Sequence, residues 1–322
     1  MREAITKSGY LMEQRLVPLI ESFGYKATPN ERFRDPETGE VRELDISAIT
    51  ASAIRSREHE YIFPMLLVAC KNLRCPLVFF TQQEIRMEYF LGTLQVSGIP
   101  LDVKPFRGQH QRLTEFLRLE KFHHYYRTGH IASQFCAVYE TKKSGHGAGS
   151  HQTQYEAGHA IDGRIDLFRD FETLIHALES EKKDHAQGSR PDTKRGEINL
   201  QFYYPIFVTS GPLIECYVAG RRPRYRSVHR VGFLLRHAKE LLSKEYRIDV
   251  VDEIGLKRLL NVIQDETDKM ANRIKRQRKL LLKSALTIAR RLHTKSQDFR
   301  CAYFCGEKEL WRTWRRIART NA

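Results

Sequence analysis

The ten residues from 61 to 70, YIFPMLLVAC, form an unbroken apolar run that ends at Lys71. A run of this length is typical of a strand that is buried on both faces near the middle of a sheet. Stretches at 200–208, 213–218 and 228–235 are dominated by β-branched and aromatic residues, which predicts three more strands. A sheet that is buried on both faces needs helices on each side. We therefore predict an α/β fold with a central sheet flanked by helices.

Two elements are predicted ahead of this strand. Residues 10–24 carry apolar side chains at helical spacing and end at a glycine, which predicts an amphipathic helix. Residues 31–34 and 40–49 are predicted to pair as a hairpin, because the segment 35–39 between them is a proline-containing turn closed by glycine. The second strand of this hairpin alternates apolar and charged residues.

Positive charge is concentrated in the last third of the chain. The 322 residues carry a formal net charge of +15, and residues 221–322 hold 27 Lys and Arg against 11 Asp and Glu, while the preceding residues are close to neutral. Such asymmetry is typical of a chain that contacts nucleic acid. We predict DNA as the partner, with RNA as an open alternative, and a basic helix over 252–292. The residues predicted to contact the nucleic acid are Arg273, Lys275, Arg276, Arg278, Lys279, Arg312, Arg315 and Arg316.

The predicted domain organisation follows the same division of charge. Residues 1–237 are expected to form the α/β core, and residues 238–322 a basic helical C-terminal region. Within the core, residues 141–198 are rich in Gly, Ser, His and charge around one helix near 166–180, which predicts a mobile insertion.

Several classes of protein are disfavoured by what the sequence lacks. No apolar run reaches the roughly 18 residues of a membrane span, and the first ten residues, MREAITKSGY, lack the apolar core of a signal peptide. We therefore expect a cytoplasmic protein that does not enter a membrane. The six cysteines are then expected to be reduced, and no Cys-x-x-Cys or His-Glu-x-x-His spacing indicates structural zinc.

The segment from residue 13 to residue 71 carries the residues that indicate chemistry. Glu13 lies on the predicted helix, Asp45 lies in the second hairpin strand, and Lys71 follows the buried strand. Aspartate is disfavoured in strands, so an Asp between two apolar residues favours a functional role. This arrangement resembles the PD-(D/E)xK, or restriction-endonuclease-like, nuclease superfamily, whose members share a helix with a glutamate, a hairpin strand ending in Asp and a central strand ending in Glu-x-Lys. The resemblance covers about the first 95 residues.

The resemblance implies a restriction-endonuclease-like core, in which helices flank a mixed central sheet, with a Mg²⁺- or Mn²⁺-dependent site. Asp45 would be the first metal ligand, and Lys71 would handle the attacking water. The backbone carbonyl of Cys70 would add a ligand, and Glu13 would bind a second metal or its water. The chemistry suits these residue types, because Mg²⁺ prefers carboxylate oxygens and neutralises the charge that phosphodiester hydrolysis builds up. An adjacent lysine stabilises the same charge.

The sequence departs from the superfamily at Ala69, which stands where a glutamate or aspartate is expected. A methyl group cannot bind a metal, so this form of the chain is predicted to cleave poorly or not at all. Three explanations are open: a deliberate Glu→Ala change that traps uncut substrate, a natural pseudonuclease, or a carboxylate supplied from elsewhere, such as Glu60 or Glu84. We favour the first, because the residues around Ala69 otherwise resemble an intact site.

The predicted function is a nuclease that in its native form hydrolyses DNA phosphodiester bonds, in a host-defence, antiviral or restriction-like system. A single centre nicks one strand, so cutting a duplex would call for a homodimer or a protein partner. Two alternatives remain open. One is a nucleic-acid-binding pseudonuclease, and the other is a protein-interaction subunit of a larger complex.

Overall fold

The computed structural model describes most of the chain, with interruptions. Glu84, Arg312, Arg315 and Arg316, which the sequence singled out, lie outside the described residues. Among the residues that are described, no helix is long and apolar enough to traverse a bilayer. The described residues are 10–73, 75–83, 94–98, 102–103, 111–112, 116–127, 129–142, 153–158, 160–161, 165–188, 198–219, 222–239 and 242–293.

Runs of consecutive strands are separated by helices along the described chain. The helices are α1 (Tyr10–Glu21), α2 (His124–Arg127), α3 (Leu167–Gly188) and α4 (Glu253–His293). The strands of the first half are β1 (Lys26–Arg34), β2 (Val41–Ile49), β3 (Ser52–Arg55), β4 (Glu60–Lys71), β5 (Leu77–Gln83), β6 (Gln95–Ser97), β7 (Asp102–Val103), β8 (Gln111–Arg112) and β9 (His130–Lys142). Those of the second half are β10 (Thr153–Gly158), β11 (Ala160–Ile161), β12 (Ile165–Asp166), β13 (Asn199–Thr209), β14 (Leu213–Ala219), β15 (Arg222–Val228), β16 (Arg230–Lys239) and β17 (Leu242–Val251).

Thirteen of the described strands form one mixed sheet, which confirms the predicted α/β class with a mixed sheet flanked by helices. The strand order is β1-β2-β4-β13-β17-β16-β9-β5-β14-β15, with β3, β6 and β10 attached to β4, β13 and β9. The predicted buried strand is β4, which pairs antiparallel with β2 and parallel with β13.

Side chains along β4 alternate between two cores on opposite faces of the sheet. Leu66 and Val68 belong to one core, and Leu67 and Ala69 pack with the other. Residues of α1 and α4 complete the first core, and residues of α3 complete the second. A strand in this position is apolar on both faces, which explains the unbroken apolar run.

The sheet continues beyond residue 237. Strand β17 lies between β13 and β16, so the strands extend to Val251 and the basic helix α4 begins at Glu253. The helix predicted inside 141–198 is α3, whose apolar side is buried against the sheet from Leu167 onward. The described part of that segment is therefore a layer of the core.

The predicted hairpin is formed by β1 and β2, and its turn is fastened to α3. Oδ1 of Asp35 accepts the amides of Glu37 and Thr38, and its Oδ2 lies 2.8 Å from Nδ1 of His176. Burial alone would raise the pKa of Asp35, but these hydrogen bonds prevail and lower it. The turn thus keeps the second hairpin strand and α3 in a defined relation, and the candidate site lies between them.

Candidate active site

The end of β4 opens into a cavity formed with β2, α1 and α3. The cavity has a volume of about 350 Å³. Its lining includes the residues of the sequence motif, which are Glu13, Asp45, Ala69, Cys70 and Lys71. It also includes Asp170 of α3, which the sequence had not indicated.

Asp45 is placed by the point at which β2 leaves β4. The paired residues of the two strands begin with Ile46 opposite Val68, so Asp45 lies just beyond the last pair. Its Oδ2 accepts the amide hydrogen of Cys70 at 2.6 Å. The predicted role of Cys70 concerned its carbonyl, and the contact found here uses its amide. This bond holds the carboxylate of Asp45 at the end of the buried strand.

Lys71 is bound to the helix that covers its face of the sheet. Its Nζ lies 2.8 Å from Oδ1 of Asp170. Asp170 occupies the first turn of α3, and the Asp166 carboxylate caps that turn by accepting the amides of Phe168 and Arg169. Oδ2 of Asp170 is buried and has no hydrogen-bond partner among the described residues. One oxygen of this carboxylate is therefore without a partner at the edge of the cavity.

Local sequence patterns give no sign of this role for Asp170. An aspartate in the first turn of a helix is ordinarily explained by its favourable interaction with the helix dipole. The one signal in the sequence is Ala69, whose small side chain leaves space on the face of β4 that α3 covers.

Glu13 approaches the cavity from α1. The residue is only 8 % exposed, on the side of the helix where Met12 and Leu16 are also buried. Burial raises the pKa of Glu13, and the negative charges of Asp45 and Glu43 raise it further. An acid in this position lowers its free energy by gaining a proton or a cation.

Opposing influences act on Asp45. Burial raises its pKa, whereas the Cys70 amide and the positive charge of Lys71 lower it. The negative charges of Asp170 and Glu43 raise it again, and the net shift is upward. The cavity therefore holds more negative charge than Lys71 neutralises, and this excess favours a bound cation.

The carboxylates of the cavity suit Mg²⁺ by type, because this ion prefers oxygen ligands. They are not gathered as closely as the ligands of one ion. Within the described part of the chain, the group of three donors that lie within 4.8 Å of one another is His123, His124 and Glu266, away from the cavity. Imidazole nitrogens do not indicate Mg²⁺.

That second group belongs to a buried polar network that connects α2 with α4 and β17. Oε2 of Glu266 lies 2.6 Å from Nδ1 of His124, whose Nε2 lies 3.1 Å from Oδ2 of Asp249. Oδ1 of Asp249 also accepts a hydrogen bond of 2.9 Å from Nε of Arg230. Burial alone would raise the pKa of Asp249, but Arg230, His124 and Arg247 hold it well below its usual range. The ligand atoms of His124 and Glu266 are thus bonded to each other, whereas Nε2 of His123 lies 3.7 Å from Oε2 of Glu266 and has no hydrogen-bond partner among the described residues.

Glu60, considered as a substitute for the missing carboxylate, lies far from the cavity. It begins β4 and Lys71 ends it, so roughly 35 Å of extended strand separate them. Glu60 is fully buried, and its two oxygens accept Nε and Nη2 of Arg278 at 2.5–2.8 Å. It therefore does not reach the cavity.

The residues of α4 that were predicted to contact nucleic acid divide into two groups. Arg278 is bound to Glu60, and Nε of Arg273 donates to the backbone carbonyl of Phe116 at 2.8 Å, so both are engaged within the fold. The exposed members are Lys275, Arg276 and Lys279. Because Arg278 meets the start of β4, this basic surface and the cavity lie toward opposite ends of that strand.

Comparison of the chain with protein-family profiles, curated proteins and solved structures finds no match. The fold and the site define a mixed α/β protein with an acidic cavity that contains a lysine at the end of its central strand. The residues of that cavity are the basis on which a function can be inferred.

Proposed function

We propose that this protein is a metal-dependent nuclease that hydrolyses phosphodiester bonds of DNA and has a restriction-endonuclease-like core. The observation that carries the proposal is the convergence of Asp45, Lys71 and Asp170 in one cavity at the end of the central strand. Two carboxylates beside a lysine are the residue types that a divalent cation and a phosphodiester require.

Asp170 would supply the carboxylate that Ala69 lacks. Ala69 and Lys71 are two residues apart in one strand, so their side chains point to the same face, which α3 covers. The small side chain of Ala69 leaves space for a group from that helix, and Oδ2 of Asp170 lacks a hydrogen-bond partner among the described residues. The chain as it stands would then be active, without an engineered change or a loss of function.

The surroundings of each cavity residue support a distinct role. Asp45 and Asp170 would hold Mg²⁺ or Mn²⁺, and Glu13 would bind a second ion or its water. When bound, the ion neutralises the phosphate and activates the attacking water. Lys71, which Asp170 orients, would stabilise the negative charge that develops on the phosphate oxygens.

The proposal is tested by moving the carboxylate from one element to another. Supercoiled plasmid is incubated with Mg²⁺ or Mn²⁺ and the wild type, Ala69→Glu, Asp170→Asn, or Asp170→Asn combined with Ala69→Glu. We expect the wild type to nick the plasmid, Asp170→Asn to be slower by roughly 100-fold, and Ala69→Glu to restore part of the rate. Asp184→Asn changes an exposed aspartate of the same helix and should cut as the wild type does.

Other outcomes contradict this proposal in distinguishable ways. If Ala69→Glu alone cuts and the wild type does not, Ala69 inactivates this form of the chain. If every variant binds DNA and none cuts, the protein is a nucleic-acid-binding pseudonuclease. If there is neither binding nor cleavage, the alternative of a protein-interaction subunit is favoured.

A host-defence or restriction-like role belongs to the same proposal. A single centre nicks one strand, so cleavage of both strands would require a homodimer or a protein partner. Conversion of nicked to linear plasmid that rises with the square of protein concentration would support the homodimer.

A further inference from the structure

The edge strand β15 concentrates positive charge on an exposed surface. Residues 222–230 contain four arginines and no acidic residue. Residues 222–227 are all exposed, and in the described part of the chain the strand that pairs with β15 is β14. A charged edge strand of this kind is available to a partner.

Three of these arginines lie on one face of the strand, and we call them the arginine row. Successive members are two residues apart, so their side chains project in the same direction at intervals of roughly 6.7 Å. The members are Arg222, Arg224 and Arg226, which stand opposite Ala219, Tyr217 and Glu215 of β14.

A buried carboxylate holds Arg226 in place. Its Nε lies 3.0 Å from Oε2 of Glu215, which is almost fully buried. The other oxygen of Glu215 lies 2.9 Å from both Oγ1 of Thr81 and Nδ1 of His130. Burial alone would raise the pKa of Glu215, but the hydrogen bonds from Arg226, Thr81 and His130 lower it. Arg226 is therefore pre-ordered, while its side chain stays 62 % exposed.

Arg222 and Arg224 differ from Arg226 in their partners. Both are exposed, and among the described residues neither forms a salt bridge. Their positive charges are therefore not neutralised by the described part of the fold. A polyanion that bound beside the anchored Arg226 would neutralise the charges of the other two arginines.

The arginine row lies on the same face of the sheet as Lys71. Val228, at the end of β15, packs with the core that α3 covers. Each member of the row is an even number of residues from Val228, so its side chain lies on the same face of the strand. Ala69 packs with that same core, and Lys71, two residues later in the same strand, has its side chain on the same face as Ala69. The two positive groups therefore belong to one side of the molecule.

A short turn connects the cavity to the hairpin that carries the row. Oγ of Ser210 lies 2.7 Å from Oδ1 of Asn72, which lines the cavity. Three residues later β14 begins at Leu213, which is opposite Val228 of β15. The member of the row nearest to Val228 is Arg226, two residues before it in the chain, and Arg224 and Arg222 follow at increasing distance from the cavity.

We infer that the arginine row binds the sugar–phosphate backbone of the DNA whose scissile phosphate occupies the cavity, and this rests on the proposed function. Guanidinium groups bind phosphate through paired N–H donors and stay charged at every physiological pH. Regularly spaced like charges suit a polyanion, which neutralises several of them and releases its own counterions. The basic surface of α4, at the other end of β4, is less suited to the same strand.

The test compares two double variants that each remove two exposed positive charges. Arg222→Gln/Arg224→Gln disrupts the row, and Lys275→Gln/Arg276→Gln removes equal charge from α4. Anisotropy of a labelled duplex of about 30 base pairs, without divalent metal, measures binding across about 50–200 mM salt. We expect the row variant to bind roughly 10–100-fold more weakly at about 100 mM salt, with the slope of log K against log salt reduced by about 1.8. The α4 variant should bind almost as the wild type does.

The inference would be overturned if the row variant bound DNA with the affinity of the wild type and with the same slope of log K against log salt. If the variant keeps its affinity but elutes as larger species in size-exclusion chromatography, the arginines protect a sheet edge from self-association. If only the α4 variant loses binding, the contact lies on α4.

Failure of the proposed function is distinguishable from failure of the row. At DNA concentrations far below the dissociation constant, the row variant should nick more slowly by about the factor by which its affinity falls. A wild type that binds through the row and never cleaves removes the nuclease and keeps the row. Unchanged circular dichroism shows that both double variants are folded.

Discussion

The cavity at the end of β4 and the network between β17 and α4 collect similar residue types and arrange them in opposite ways. In the network, Asp249 lies between His124 and Arg230, and its side chain is inaccessible to solvent. In the cavity, Lys71 is bound to Asp170, and the other acids are left with excess negative charge. The acids of the network are balanced by positive groups, whereas those of the cavity are unbalanced and open to a ligand.

The pKa shifts follow this difference. The pKa of Asp249 is held low by its positive neighbours, whereas those of Glu13 and Asp45 are raised by burial and by neighbouring acids, which include Glu43 in both cases. An acid with a lowered pKa stabilises the fold as an anion, and an acid with a raised pKa destabilises it. An unbalanced group of acids, more than a large one, therefore marks a candidate site.

Among the variants that compare the network with the cavity, we expect the largest change in the free energy of unfolding for one in the network. Asp249→Ala leaves the buried part of Arg230 without its anion and should lower the free energy of unfolding by about 3–5 kcal/mol. Urea denaturation followed by circular dichroism measures the loss. Asp265→Ala, which breaks an exposed pair with Lys269, is the control and should cost less than about 1 kcal/mol. Equal stability of the two variants would mean that the network is not structural.

A smaller effect is expected from metal binding in the cavity. Mg²⁺ at about ten times its dissociation constant should stabilise the wild type by about 1.4 kcal/mol. Thermal unfolding with and without Mg²⁺ measures this as a rise in Tm, and Asp45→Asn should show no rise. The same rise in both proteins would place the ion outside the cavity and would weaken the contrast between the two regions.

The smallest effect is expected for the cavity without metal. Because the pKa of Asp45 is raised in the folded protein, its ionisation disfavours folding as pH rises from the unfolded pKa through the folded one. Asp45→Asn keeps an oxygen that can accept the Cys70 amide, and should be more stable than the wild type by on the order of 1 kcal/mol above neutral pH. The gain should fade as pH falls below the raised pKa.

Urea denaturation at several pH values measures this difference. Asp268→Asn, on the surface of α4, is the control and should show no comparable pH-dependent gain. An Asp45→Asn variant that is less stable than the wild type above neutral pH would show that this carboxylate contributes to the fold in the way that Asp249 does.

Much of the fold was predictable from local pattern. The apolar run at 61–70 is the central strand, the helix predicted at 10–24 is α1, and the turn at 35–39 closes the hairpin. These elements follow from side-chain periodicity and turn residues, which act over a few neighbouring positions. The motif residues Glu13, Asp45 and Lys71 also line one cavity.

The partners of charged residues were not predictable in the same way. Arg278 looked like a residue that binds nucleic acid, and in the fold its guanidinium is bound to buried Glu60. Asp170 looked like an ordinary first-turn acid, and it is bound to Lys71. In each case about 100 or more residues separate the partners, so no local signal connects them.

Local pattern was therefore enough to specify an α/β chain, its central strand and the acid–lysine motif, because periodicity depends on adjacent residues. Packing specified which acid meets Lys71, which arginines are used within the fold and which stay exposed on β15. The physical reason is that ion pairing and pKa depend on distance and burial. Both are set by how elements far apart in the chain lie against one another.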